Sequence, residues 1–372
     1  MQNNKRFETA EFVLPGHPDK ICDAVVDSIV GLVTREDELA QCGLEAACVF
    51  DRIFLTGRIA LDRSDPVSME SSIHSKVREV YRSAGYGEDA AGHLWGPAPE
   101  DIRIDTAFNI GKFDEGEAEL RYLSDDQAIC IGYACSLEET SHLPPAQWLA
   151  RRIGQELHRL RKIKGAGQVG PDAKVIVRVA RTENRWQPER VSISLNHHEG
   201  SDWLFLRKFA EEALETACIG LLTPQLEING AGMFICGGPN GDNGLSGKKL
   251  VVDAYGPTVP IGGGAWSGKD FRKVDRLGGL LARQLALKVQ KQTGCDEAVI
   301  TLEYHPGCEG PVSITIEADH YFLDPAILGV STGYLSNIEV WKRYKECHLK
   351  GSLEEIARWG HLGHSDYPWA NS

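Results

Sequence analysis

The chain has 372 residues, 42% of them apolar and 25% charged, with a net charge of -13. This is the balance of a globular protein with room for two or three cores, and the acidic excess excludes wholesale binding to nucleic acid or to a membrane surface. Ten cysteines occur without a CxxC pair or even spacing, which reads as reduced thiols in a cytoplasmic protein and excludes a disulfide frame or zinc site. Met1–Arg6 has no apolar run behind it, and no segment approaches membrane-spanning length.

A strand-like Glu11–Leu14 comes first. Helical spacing of Ile21, Val25, Ile29 and Leu32 after Pro18-Asp19 then predicts a helix from Lys20 to about Glu38. Short strands follow at Ala47–Phe50 and Ile53–Leu61, then a helix through Met69–Tyr81. The same order returns as a helix at Gln147–Arg161, strands at Lys174–Val179 and Val191–Leu195, and a helix through Trp203–Ala217. A third helix, Asp275–Lys291, carries Leu277, Leu281, Leu285 and Val289 on one stripe ahead of strands Ala298–Tyr304 and Val312–Glu317; its later helix is poorly marked.

The three leading helices begin near residues 20, 147 and 274, which are equal steps. Equal steps predict a triplicated helix–hairpin–helix unit with helices on one face of a mainly antiparallel sheet. The expected fold is therefore α+β, with three similar lobes. We place them at about 1–107, 116–228 and 229–372, with exchange of segments between lobes allowed. No low-complexity linker separates them, so they are expected to pack together and share a site.

Two glycine-rich runs carry the chemistry. Gly262-Gly263-Gly264-Ala265-Trp266-Ser267-Gly268-Lys269-Asp270-Phe271-Arg272-Lys273-Val274-Asp275-Arg276 mixes glycines, cations and carboxylates, and Gly237 to Lys249 does the same upstream. Glycines let backbone N–H groups reach phosphate oxygens, lysines neutralise them, and carboxylates hold a bridging divalent cation. Gly263 to Lys269 fits G-x-x-x-x-G-K, but Asp270 stands where a P-loop needs Ser or Thr, and Tyr255-Gly256-Pro257 upstream is turn chemistry. Taken alone the run reads more readily as a solvated loop; two such runs, each with Ser-Gly-Lys, point to a polyphosphate held with metal.

Gly16-His17-Pro18-Asp19-Lys20 opens the first helix, where anions are favoured, although Asp19 as a simple N-cap explains the pentapeptide equally. Pro171-Asp172-Ala173-Lys174 and Ser124-Asp125-Asp126-Gln127 are ambiguous alone. Together, however, these motifs, the two glycine-rich runs, and the terminal Trp359-Gly360-His361-Leu362-Gly363 and Tyr367-Pro368-Trp369 resemble the S-adenosylmethionine synthetases in order and spacing across nearly the whole chain.

The resemblance implies the three-lobed fold with pseudo-threefold symmetry, a homodimer or dimer of dimers with active sites between subunits, and ATP and a thioether as substrates. The thioether sulfur would attack C5′ of ATP and expel triphosphate, which is then cleaved to pyrophosphate and phosphate. By the same resemblance His17 stabilises the leaving oxygen, and Lys174, Lys248, Lys249, Lys269 and Lys273 clamp the triphosphate. Asp19 and Asp275 hold magnesium, with two ions expected, while Glu11, Asp126, Asp172, Phe234 and Asp242 belong to the nucleotide site. Lys248 stands where the family usually has arginine, keeping the charge and losing a bidentate fork.

The departures gather at the acceptor end. Arg58 occupies the place of a family glutamate that receives the methionine ammonium group. Asn109 to Gly116, including Phe113, replaces a mobile lid, and Pro306 takes the place of an isoleucine at the methionine side chain. Pro15 and Val49 stand near two other usual glutamates, the second associated with a monovalent cation, so a potassium requirement stays open. Met233 and Ile261 replace an arginine and a histidine. Three readings follow: a divergent synthetase acting on methionine; a paralogue adenosylating another sulfur-containing acid, with Arg58 attracting a carboxylate; and a silent nucleotide-binding subunit, against which the retained leaving-group machinery argues.

Overall fold

A computed structural model describes residues 6–62, 66–182, 185–350 and 353–370. Strand β1 (Arg6–Val13) leads into helix α1 (Pro18–Glu36), the hairpin β2 (Gln41–Val49) and β3 (Arg52–Ala60), and helix α2 (Pro66–Ala84). A short ladder of β4 (Gly87–Glu88) and β5 (Leu94–Trp95) precedes β6 (Arg103–Gly111), the one-turn α3 (Glu117–Leu120) and β7 (Ala128–Cys135). Helix α4 (Pro145–Lys164), strands β8 (Val169–Thr182) and β9 (Arg185–His197), helix α5 (Trp203–Ala217) and β10 (Gln225–Ile228) form the next run. Then come β11 (Gly244–Leu245), α6 (Leu250–Asp253), α7 (Val274–Thr293), strands β12 (Glu297–Tyr304), β13 (Ser313–Ala318) and β14 (Tyr321–Leu323), and helices α8 (Asn337–Lys350) and α9 (Leu353–Trp359).

Three four-stranded sheets result, ordered β11-β2-β3-β6, β1-β8-β9-β10 and β14-β13-β12-β7. In each, a long helix leads a central antiparallel hairpin and packs on the sheet's inner face: α1 on β2, α4 on β8, α7 on β12. The α+β fold with mainly antiparallel sheets is therefore as the sequence predicts, and each sheet also recruits a strand from far along the chain: β11, β1 or β7. Such exchange ties the lobes into one continuous apolar core.

The third unit departs where its helix was poorly marked. In the first two, α2 and α5 carry the chain across so that β6 pairs parallel to β3 and β10 parallel to β9. A parallel neighbour needs such a crossover. After β13 there is only a tight turn, with Asp319 at φ 47° and His320 at φ 70°, so β14 folds back antiparallel.

Helix α1 runs through the interior. Nearly all of it is buried, including Asp19, Lys20, Asp23 and Asp27, because β2, β11, α2, α8 and α9 surround it. Strand β2 begins at Gln41, earlier than the predicted Ala47, and its hairpin turns at Phe50 with φ 52°. The residues read as a loop from Asn109 begin as strand, since Asn109, Ile110 and Gly111 pair with Arg58, Ile59 and Ala60.

Candidate active site

The motif after β1 is held at a helix start. His17 is the N-cap of α1, its Nδ1 accepting from Asp19 N at 3.2 Å, so Asp19 is released from capping. Gly16 is required by close approach: a Cβ there would lie 2.4 Å from the Pro171 carbonyl oxygen. The first and second motifs are thus in contact. Asp172 reaches onward to the first glycine-rich loop, accepting from Gly238 N at 2.8 Å.

One cluster gathers here. Asp19, 1% exposed, accepts from Lys249 Nζ at 2.7 Å and Leu245 N at 2.9 Å, with Lys248 Nζ at 3.7 Å. Lys174 pairs with Glu11 at 2.5 Å on the outer face of the adjoining sheet. Phe234 is held at the end of β9, its N–H donating to His197 Nε2 at 3.1 Å and its carbonyl accepting from Asn196 Nδ2 at 2.9 Å. Burial lowers the His17 pKa to about 4 against the pull of Asp19, with Lys249 and Lys174 adding to the fall. The neutral ring, with Nδ1 accepting, carries its hydrogen on Nε2. Burial pushes Asp172 up to about 7, aided by Asp242 and Asp19 and opposed by the Gly238 N–H.

A second cluster forms on the outer face of β2. Lys269 pairs with Asp275, and Lys273 Nζ lies 2.6 Å from Asp125. Gly43 forms a bridge with Lys269, and a Cβ there would lie 3.5 Å from Lys273 Cε. Burial would lower the Lys273 pKa, but Asp125 and Asp270 overcome it and hold the ammonium charged. Asp126 is exposed and accepts from Gln127 N at 2.7 Å, so its neighbour Asp125 is the carboxylate that meets the lysine. Pro306 is exposed in the turn that joins this loop through Gly307 N to Ser124 O at 2.8 Å.

Among the described residues no hydrogen bond or ion pair directly joins the two clusters. They are spaced along α1, where Asp19, Asp23 and Asp27 each accept a backbone N–H from the glycine-rich loops. Sequence reasoning missed Asp23 and Asp27; the signal was the recurrence of Asp at 19, 23 and 27, steps of four that put all three on one face of the helix.

Arg58 is fully engaged. Its guanidinium donates to Glu117 Oε2 at 2.9 Å, Glu117 Oε1 at 3.4 Å, Lys112 O at 2.6 Å, Asn109 Oδ1 at 3.2 Å and Asp114 Oδ2 at 3.4 Å. Glu117 also accepts from Asp114 N at 2.6 Å, and the bond from Arg58 holds its carboxyl below the usual range, with Lys273 contributing. The segment that carries the half-buried Phe113 is thereby tied to β3.

No group of three His, Cys, Asp or Glu side chains among the described residues could by itself hold a metal. All ten cysteines are free thiols, and no helix among the described residues is long and apolar enough to cross a membrane.

Two glycine-rich loops, lysines on single carboxylates, and a neutral histidine capping the helix between them define a polyphosphate-handling enzyme on a three-sheet α+β frame. The chain belongs to the S-adenosylmethionine synthetase family. The family's N-terminal, central and C-terminal domain models match residues 5–98, 122–234 and 236–371. The S-adenosylmethionine synthases of Petrotoga mobilis and of a Sulfurovum species are 29% and 30% identical to it. They cover 98% of this chain, which spans 96% and 94% of theirs. That of Salinibacter ruber is 30% identical over 97% of this chain and 94% of its own. The unusual S-adenosylmethionine synthetase of Campylobacter jejuni shares the fold at a TM-score of 0.85, with 23% identity over 98% of this chain and 97% of that one. The protein is a transferase of the methionine adenosyltransferase type.

Proposed function

We propose that the protein forms S-adenosylmethionine from ATP and L-methionine, and that water then cleaves the expelled triphosphate to pyrophosphate and phosphate. The observation that carries this is His17: as N-cap of α1 it is neutral, with its Nε2 hydrogen available beside Lys249 and Asp19. The methionine sulfur donates a lone pair to C5′, the C5′–O5′ bond breaks towards the triphosphate, and a sulfonium forms. No base is needed, because a thioether has no proton to lose. What must be stabilised is charge on the departing oxygen, to which His17 Nε2–H donates, and on the phosphates, which Lys174, Lys248, Lys249, Lys269 and Lys273 neutralise. Asp126, Asp172, Phe234 and Asp242 form the adenosine side, with Glu11 beside Lys174.

Asp19 and Asp275 are the carboxylates that would hold magnesium. Isolated carboxylates, each resting on a lysine that phosphate would engage, fit an ion that takes one or two protein ligands and fills its shell with phosphate and water. Bound there, magnesium would supply charge neutralisation on the triphosphate.

Methionine is favoured over an acid lacking the amino group because Arg58 is compensated by Glu117 and Asp114, leaving no free guanidinium for a substrate carboxylate. We further propose a cytoplasmic homodimer or dimer of dimers. The separation of the two clusters along α1 supports it, as do Phe7, Ile176, Phe54 and Ile129 exposed on strands of the three sheets. The test is incubation with ATP and magnesium, with and without methionine, and mass spectrometry of the products. S-adenosylmethionine formed with methionine is the expected result. Adenosylation of another thioether acid alone, or ATP binding without turnover, would overturn the proposal.

A further inference from the structure

We propose that Asp23 is a positioning residue that sets Lys248 and Lys249 in register with His17 through the backbone of Gly247. This rests on the reading of those lysines as part of a triphosphate clamp.

Positions 19, 23 and 27 fall on one face of α1, each step about 6 Å along the axis. Asp23 Oδ1 accepts from Gly247 N at 2.7 Å, and Asp27 Oδ1 accepts from Gly268 N at 2.9 Å. Gly247 and Gly268 are the middle residues of the two Ser-Gly-Lys triplets and share a left-handed backbone, φ 79° and 85°. The same contact is therefore built twice, each time one residue before a lysine of the clamp. Both aspartates are buried, at 1% and 0% exposure. A buried carboxylate is costly to keep, and an apolar residue would serve packing better if packing were its role.

The two aspartates differ in their other duties. Asp27 also takes both terminal nitrogens of Arg276 at 2.8 Å, which makes it a structural ion pair as well. Asp23 meets the loop through Gly247 N. His17 caps the first turn of this helix and Asp23 lies on its second, so the donor for the leaving oxygen and the cations for the phosphates share one rigid reference. Loss of the Asp23 acceptor frees Gly247 to turn, and Lys248 and Lys249 drift from His17 without any change in their own chemistry.

The test compares wild type, Asp23→Ala, the milder Asp23→Ser, and Asp23→Asn, whose carbonyl still accepts from Gly247. Each is placed also in a Lys248→Ala/Lys249→Ala background, and measured by ATP kinetics and by calorimetric binding of inorganic tripolyphosphate. Asp23→Ala and Asp23→Ser are expected to lower kcat/KM on the order of 10²-fold, as displacement of a positioned group by an ångström does, and to weaken tripolyphosphate binding. Asp23→Asn recovers most of the loss. In the lysine-free background the Asp23 substitutions have little further effect, since the aspartate acts through those lysines.

The proposal is overturned if Asp23→Ala or Asp23→Ser keeps wild-type kinetics, or if the loss is the same with and without the lysines, which is what a purely structural role gives. Should Asp23→Ala fail to fold, Asp23→Ser decides by the same two criteria, and Asp23→Asn must then exceed Asp23→Ser in kcat/KM. Wild-type protein that does not bind tripolyphosphate overturns the clamp reading itself, and this role with it.

Discussion

Asp172 lies at 6% exposure under the first glycine-rich loop, where its carboxyl is pushed up to about 7 by burial. Its folded pKa exceeds the unfolded value near 3.8, so the stability it contributes is complete below that value and is lost as pH rises towards 7. Asp172→Asn keeps an acceptor for Gly238 N without the charge. The variant should gain on wild type progressively between pH 4 and 7, by on the order of 4 kcal/mol, and hold that gain above pH 7. Urea unfolding at pH 4.5, 6 and 8 measures it; a gap independent of pH would refute the assignment. Residue types of this kind were legible in the sequence, but their pairings were not. Asp125 and Asp126 are adjacent and chemically identical, and it is the folded loop, tied at Ser124 to Gly307 and Cys308, that presents Asp125 to Lys273.

The segment from Lys112 to Leu120 is largely exposed and lies between two arginines. Arg121 anchors one end in the interior, on Asp270 and the carbonyls of Leu39 and Ala40; Arg58 anchors the other near the surface. Removing Arg58 deletes several hydrogen bonds, three of them to the carboxylates of Glu117 and Asp114, so the near-surface end should open first. Trypsin should cleave Arg58→Ala after Lys112 about tenfold faster than wild type, with the global melting temperature little changed. Equal cleavage rates would mean that the guanidinium does not hold the segment. A reversed charge at position 58 suggests ligand attraction when read in one dimension. The fold shows instead that the compensating carboxylate, Glu117, comes from an element further down the chain.

Across the whole molecule, one chain places the cluster of His17, Asp19 and Lys249 and the cluster of Lys269, Lys273 and Asp275 at separate stations along α1, Asp19 and Asp27 being about 12 Å apart. If each active site draws one cluster from each subunit, as the proposed dimer requires, two inactive variants should complement each other. His17→Ala and Lys273→Ala, each inactive alone, should recover about a quarter of wild-type activity when co-expressed. Half of the randomly assorted dimers then carry one intact site out of two. A co-expressed pair that stays inactive would show that the clusters do not meet between subunits. The three-lobed plan was visible in the spacing of the leading helices. The third sheet's all-antiparallel order was not, because it follows from a missing crossover helix.

By itself the sequence determined the composition of the site and the frame that carries it. The leading helices and hairpins rest on local periodicity, and the glycine–lysine–aspartate runs rest on residue chemistry; both are properties of neighbours along the chain. Tertiary structure alone decided which charges neutralise each other. Burial makes an unpaired charge costly, so Asp19 finds Lys249, Arg58 finds Glu117 and Asp27 finds Arg276 across long stretches of chain, in pairings set by tertiary packing rather than by neighbours in sequence.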